Sequence, residues 1–64
     1  MERSRSGLAT PREVSELTGV PVGTLGQWRW QGVGPDYIKL GKHVRYSWPA
    51  VERWLETQTR VMAG

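Results

Sequence analysis

Apolar residues recur every three or four positions in three stretches of the chain, and this spacing predicts three short helices. The predicted helices cover residues 11–18, 21–31 and 48–58. Between the second and the third helix, two runs rich in β-branched and aromatic residues, 37–40 and 44–46, predict the strands of a hairpin. The order helix, helix, hairpin, helix indicates a small α+β domain.

The first predicted helix carries a start and a stop signal. Thr10 can cap it, and Glu13 lies three residues later, as in a capping box. Val14 and Leu17 form the predicted apolar face. Gly19 follows the last helical position, where a left-handed backbone is favourable. The pattern therefore predicts a helix that ends at Thr18.

The second predicted helix follows after a very short connection. Only Gly19 and Val20 precede Pro21, which can open this helix as its first residue. The two helices must turn sharply against each other, which is the spacing of a helix-turn-helix. With Leu25 at the centre of the buried face, Val22, Trp28 and Arg29 fall beside it at helical spacing. The surface that points outward consists of Gly23, Gly26, Gln27, Trp30 and Gln31.

The alternation of side chains predicts a three-residue loop, 41–43, at the tip of the hairpin. This register aligns Leu40 with Val44, whereas a two-residue loop would mix apolar with charged side chains on one face. The predicted register sets Lys39 and Arg45 side by side on the other face. Such a like-charge pair is unfavourable unless an anion lies against it.

The third predicted helix has Ser47 as its cap and Pro49 in its first turn. Val51, Trp54 and Leu55 form its apolar stripe at spacing three and four. The helix is predicted to fray after about Gln58, because threonine is a poor helix former.

The composition is compatible with one small domain. The chain has 64 residues, a formal net charge of +3 and no cysteine. A domain of this size buries only about 60% of its unfolded surface, so a sculpted catalytic cleft is not expected. We predict a flexible basic arm over 1–7, a folded domain over 8–58 and a tail over 59–64. Without an apolar run of membrane length or an export signal, the chain is expected to act in the cytoplasm, with no membrane partner.

No enzymatic or metal chemistry is indicated by the sequence. His43 is the single histidine, and neither a positioned carboxylate partner nor a metal-ligand spacing accompanies it. We therefore expect no catalytic residue, no metal site and no cofactor.

A basic chain, a tight helix-turn-helix and a positively charged hairpin together predict DNA binding by a winged helix-turn-helix fold. A helix about 10 Å wide fits the major groove, and the hairpin, or wing, can follow the adjacent backbone. Thr24 and Gln27 are predicted to face the DNA, because a hydroxyl suits phosphate and an amide can pair with an adenine edge. The side chains predicted to hold phosphates are Arg29, Lys39, Lys42 and Arg45.

The four tryptophans are a heavy aromatic load for a chain without phenylalanine. Trp28 and Trp54 lie on apolar stripes and are predicted to pack in the core, with Trp48 at its edge. Trp30 points outward on the second helix. Three uses of Trp30 are open: it covers the base of the hairpin, contacts the DNA backbone or meets a partner protein.

Three segments in fixed order resemble a known family. They are residues 8–20 together with Thr24-Leu25 and Trp28-Arg29, the strands 37–41 and 44–46, and the closing helix 51–55. Over about residues 8–56 the chain is similar to the excisionase and MerR-like superfamily of winged helix-turn-helix proteins. Its nearest likeness is to the small excisionases, or recombination directionality factors, of phages that infect actinobacteria.

This resemblance implies a non-catalytic architectural protein that binds repeated sites in phage attachment DNA. Such a protein bends the DNA and directs a partner integrase toward excision. The recognition-helix contacts that the resemblance implies are Gly23, Thr24, Gln27 and Arg29, and the implied wing contacts are Lys42, His43 and Arg45. Neighbouring copies on adjacent sites are expected to contact each other, because one monomer has a small footprint.

The chain departs from the family pattern at two positions of the recognition helix. Family members often carry a serine in place of Pro21 and a larger polar residue in place of Gly26. Readout of DNA shape is therefore expected to supply more of the specificity.

Two other functions are compatible with the same residues. A MerR-type regulator dimerises through a long coiled coil, and no sustained heptads follow Leu55. A small MerR/AlpA-like transcription regulator would use the same DNA-binding domain without that helix. In a different class, the chain would be a protein-interaction module that uses Trp30 and the Val61-Met62 tail.

Overall fold

The computed structural model of the protein describes residues 7–59, and three helices and three strands follow one another along this part of the chain. The elements are β1 (Leu8–Ala9), α1 (Pro11–Thr18), α2 (Val22–Gln31), β2 (Ile38–Leu40), β3 (His43–Ser47) and α3 (Trp48–Gln58). The strands form one antiparallel sheet in the order β1-β3-β2. The predicted α+β winged helix-turn-helix fold is confirmed.

The helix α1 begins with the predicted capping box. The Glu13 backbone N–H donates to Thr10 Oγ1 at 3.1 Å, and the Thr10 N–H donates to Glu13 Oε1 at 2.9 Å. Each residue thus satisfies a donor that the first helical turn leaves without a partner. At the other end, Gly19 adopts φ 79° and donates its N–H to the Ser15 carbonyl. The bounds of α1 are those predicted.

The helix α2 starts one residue later than the sequence indicates. Pro21 has an extended backbone (φ −59°, ψ 147°) and is the cap residue, while its carbonyl accepts the Leu25 N–H at 3.0 Å. The turn between the two helices therefore contains Gly19, Val20 and Pro21. Gly32, in the left-handed region at φ 79°, ends α2 as predicted.

The hairpin register differs from the prediction. Leu40 pairs with His43 and Ile38 pairs with Arg45, so the loop has two residues, Gly41 and Lys42. Gly41 has φ 63°, and no non-glycine residue of the described part has a positive φ. A positive φ at the first loop position alone is the requirement of a type II′ turn, whose twist matches that of paired strands. Turn chemistry therefore decided the register.

The observed register changes which side chains of the wing share a face. Because directly paired residues point to the same side, Arg45 lies on one face with Ile38, and Lys39 lies on the other with Val44. The predicted pairing of Lys39 with Arg45 is wrong. Placing apolar and charged residues together on the Arg45 face costs little folding free energy, because Ile38 and Leu40 are 40% and 49% exposed and Arg45 does not have to be buried with them.

The strand β1 was absent from the sequence prediction. Leu8 pairs with Ser47 and Ala9 with Tyr46, which places a short strand on the free edge of β3. The Gly7 carbonyl accepts the Trp48 N–H at 3.0 Å, so Gly7 belongs to the folded domain and not to the predicted arm. Residues 1–6 of that arm and 60–64 of the predicted tail lie outside the described residues. Thr59 of the tail is the cap residue of α3.

One buried side chain from each of five elements forms the core. These residues are Ala9, Val14, Leu25, Tyr46 and Val51. Ser47 caps α3 through a hydrogen bond from the Ala50 N–H to its Oγ, as predicted. Such a core is narrow, and several apolar residues predicted to be buried are outside it: Leu17, Val22 and Leu55 are 56%, 46% and 36% exposed.

The tryptophans follow the prediction only in part, because Trp54 is half-buried and is not among the residues packed against the core. Trp28 and Trp48 pack against the core, and the Trp28 and Trp54 rings lie 5.5 Å apart at a tilt of 53°. Trp30 is 87% exposed, so its predicted alternative role as a cover for the base of the hairpin is wrong. Gly34 lies against Trp28 with φ 89°. A Cβ atom there would approach the Trp28 ring within 3.0 Å.

Candidate nucleic-acid interface

Apart from Trp30, the outward face of α2 is small, polar and uncharged. Gly23 and Gln27 are exposed on it, and Thr24 beside them is half-buried. A Cβ atom added to Gly23 would meet no other atom within 4 Å, so the space in front of this turn is open. The helix contains no acidic residue. A groove of a polyanion can therefore approach the backbone of α2 without charge repulsion.

Arg29 lies on the side of α2 that faces the sheet. Its Nη1 donates to the hydroxyl of buried Tyr46 at 2.6 Å. The guanidinium carbon lies 5.8 Å from the centre of the Tyr37 ring and 5.9 Å from that of Tyr46, within the range of cation–π attraction. Arg29, which is predicted to bind a phosphate, thus lies beside two tyrosines, and its hydrogen bond to Tyr46 links α2 to β3.

The sequence did not identify these two tyrosines as partners of Arg29. One signal was available, because a buried tyrosine hydroxyl usually has a hydrogen-bond partner. Arg29 was the cation nearest the buried face of the helical wheel. Whether Arg29 meets this hydroxyl depends on how α2 crosses β3, and no local sequence pattern specifies that crossing.

The wing carries the other predicted DNA contacts. Lys42 lies in the hairpin loop, and His43 opens β3 beside it; both are exposed. Arg45, on the same face as His43, is half-buried and donates from Nη1 to its neighbour's carbonyl, that of Val44, at 2.7 Å. Lys39 is exposed on the opposite face. The wing therefore presents cations from both faces of the ribbon and from its tip.

Four acidic residues lie on other elements than these two surfaces, whereas Asp36 lies two residues before β2 and lines a shallow depression together with Arg29. Both α2 and the hairpin residues 38–47 lack Asp and Glu. Glu13 and Glu16 lie on α1, and Glu52 and Glu56 lie on α3. A modest net charge of +3 is thus distributed so that the positive potential concentrates on the wing and beside the recognition helix.

Three further findings concern residues 7–59. In that range, no group of three or more His, Asp or Glu side chains could hold a metal ion. None of the helices described there is long and apolar enough to cross a membrane. A shallow depression beside the Trp28–Trp54 pair is lined by Val33, Gly34 and Gln58 and contains no ionisable side chain.

Comparison with known proteins agrees with the geometry. A family described as a helix-turn-helix domain matches residues 10–59, which include α1, α2, the wing and α3. Among curated proteins, none matches the chain. The family includes excisionase-like and AlpA-type DNA-binding domains. The chain, a small winged helix-turn-helix domain with an uncharged outward face on α2 and a cationic wing, belongs to this family of DNA-binding helix-turn-helix domains.

Proposed function

We propose that the protein is a phage excisionase, which binds and bends attachment-site DNA and directs an integrase toward excision. The observation that carries this proposal is the pairing of an open, acid-free recognition helix with a cationic wing in a family that includes excisionase-like domains. In this role the protein positions and deforms the duplex for another protein.

In this proposal α2 enters the major groove. Gly23 allows the helix backbone to approach the DNA closely, Thr24 donates its hydroxyl to a phosphate, and Gln27 pairs with an adenine edge. Gln27 is exposed on the outward face, as this role requires. Arg29 binds a phosphate through the N–H groups that the Tyr46 hydroxyl does not engage.

The wing then holds the backbone beside the groove. Lys42 and His43 reach the phosphates from the hairpin tip, and Arg45 and Lys39 from the two faces of the ribbon. Phosphate contacts of this kind fix the orientation of the protein without selecting sequence. We propose that the protein bends the duplex while holding it at both α2 and the wing, and that the additional contacts offset the energy needed to deform the DNA.

One domain of this size makes a small interface, so we propose that neighbouring copies bind adjacent sites and that integrase contacts this array. Footprinting on phage attachment-site DNA tests the first part, and we expect several protected sites at regular spacing. An excision assay with the integrase tests the second. If the protein protects attachment DNA but excision proceeds equally without it, the excisionase role is wrong and DNA binding stands.

A second candidate is a small transcription regulator, since the family also includes AlpA-type domains. Such a regulator would protect a promoter and would change its transcript when the gene is deleted. Protection confined to a promoter, with unchanged excision, would favour this function over the excisionase.

A further inference from the structure

Trp30 is the most exposed large apolar side chain of the described residues, 7–59. Its exposed fraction is 87%, whereas the next, Leu17, is 56% exposed. The other three tryptophans are half-buried. An indole exposed to this extent in a free domain contributes little to folding, so its role is more readily explained by a contact outside the domain.

The position of Trp30 indicates what that contact is. Helical spacing places it about 20° from Gly23 and about 60° from Gln27 around the axis of α2, on the proposed recognition face. Helical side chains lean toward the N-terminus, so the indole extends over the turn that holds Gly26 and Gln27. Because Gly23 and Gly26 have no side chain, the Trp30 indole is the largest group on this face.

We propose that Trp30 is a DNA-contacting residue that packs against the sugar–phosphate wall of the groove occupied by α2. It lies one position before the end of the helix, whereas recognition helices contact base edges mainly with their N-terminal residues. The ring covers the apolar part of a deoxyribose, and its Nε1–H, a donor only, binds a phosphate oxygen. This inference rests on the proposed use of α2 as the recognition helix and not on the excisionase role.

An uncharged phosphate contact has a signature of its own. Because Trp30 carries no charge and reads no base, Trp30→Ala should weaken binding to every duplex by the same factor. It should leave the slope of log K against log salt unchanged, since that slope counts neutralised phosphate charges. Loss of a cationic contact would reduce the slope, and loss of a base contact would change the sequence preference.

The first experiment measures affinity. Wild type, Trp30→Ala and Leu55→Ala are titrated onto a duplex that the wild type selects from a random-sequence pool, and onto a scrambled duplex, at several salt concentrations. Leu55→Ala is the matched control, because it removes an exposed apolar side chain from α3. We expect Trp30→Ala to bind both duplexes about 10-fold more weakly, the loss typical of an aromatic interface residue, with an unchanged salt slope.

The second experiment uses tryptophan fluorescence. Acrylamide, a neutral quencher, reaches Trp30 readily in the free protein, and we expect the selected duplex to protect it. In Trp30→Phe, the duplex should change the quenching little. Circular dichroism and thermal unfolding should be unaffected by both Trp30 variants, because the side chain is outside the core.

The outcomes separate the inference from the proposed function. If wild type binds neither duplex, the use of α2 as a recognition helix is wrong. If wild type binds DNA, but Trp30→Ala binds equally well and Trp30 stays accessible to acrylamide in the complex, the inference is overturned. Trp30 would then be a surface for a protein partner.

Discussion

Arg29 of α2 and Tyr46 of β3 form a hydrogen bond of 2.6 Å between the recognition helix and the wing. Tyr46 is fully buried, so its hydroxyl has a fixed position, and the guanidinium is placed by it. The charge of Arg29 is also stabilised by two aromatic rings. A cation held in this way loses less conformational freedom when it binds a phosphate.

Tyr46→Phe removes the hydroxyl and keeps the ring in the core. We expect it to lower the free energy of unfolding by about 1.5 to 3 kcal/mol, because a hydrogen bond to a charged group is lost. It should also weaken DNA binding in the wild-type background and have no further effect in Arg29→Ala. Tyr37→Phe is the control, since it retains the ring beside the guanidinium. Equal effects of Tyr46→Phe in both backgrounds would refute the coupling.

Replacing Gln27 or Arg45 by alanine is expected to change DNA binding in different ways. Gln27→Ala should change the preferred sequence, because it removes a base contact worth about 1 to 3 kcal/mol of discrimination. Arg45→Ala should weaken binding to all sequences and reduce the salt slope by about 0.9. Selection from a random pool and salt titrations measure both effects. The reversed result would mean that the two roles are exchanged.

Two glycines are expected to respond oppositely to alanine. Gly34 has φ 89°, and a Cβ atom added to it would lie 3.0 Å from the Trp28 ring. Gly34→Ala should therefore destabilise the fold by about 1 to 3 kcal/mol. A Cβ added to Gly23 would meet no other atom, and Gly23→Ala should stabilise the fold by less than about 1 kcal/mol, because Gly23 lies in the first turn of α2 and not in the helix interior. Chemical denaturation measures both. Gly23→Ala should nevertheless weaken DNA binding, and tighter binding would contradict close approach at this turn.

The capping box of α1 provides a test of local stability alone. Thr10→Ala should lower the free energy of unfolding by about 1 kcal/mol, because the Glu13 N–H loses its acceptor. Thr10→Ser keeps the hydroxyl and should be close to wild type. Salt dependence of DNA binding should be the same in both variants, and a changed slope would place Thr10 in the interface.

Much of the fold could be predicted because its signals are local. The Thr10 and Glu13 capping box, the glycines at positions 19 and 32 and the Ser47 cap act on backbone groups within a few residues. The outward position of Trp30 also followed from helical spacing alone. The bounds of α1 and α3 and the order of the elements were therefore predictable.

The features of the fold that were predicted wrongly or not at all share another cause. The hairpin register depended on whether Gly41 would open a type II′ turn, and β1 depended on a distant edge of β3 that Leu8 and Ala9 could reach. The exposure of Leu17 and Leu55 reflects a core too narrow for every apolar residue. Each depends on packing between segments, which spacing along the chain does not specify.

The sequence by itself therefore determined the helix-turn-helix, the acid-free recognition helix and the supply of cations in the wing, because capping, periodicity and charge are properties of neighbouring residues. Only the tertiary structure decided which cations share a face and which are held in place. Lys39 and Arg45 were separated by one residue of register, and Arg29 was joined to Tyr46 across 17 residues. The first result follows from the pairing of β2 with β3. The second follows from the way α2 crosses the sheet, because buried Tyr46 then fixes the position of the Arg29 charge.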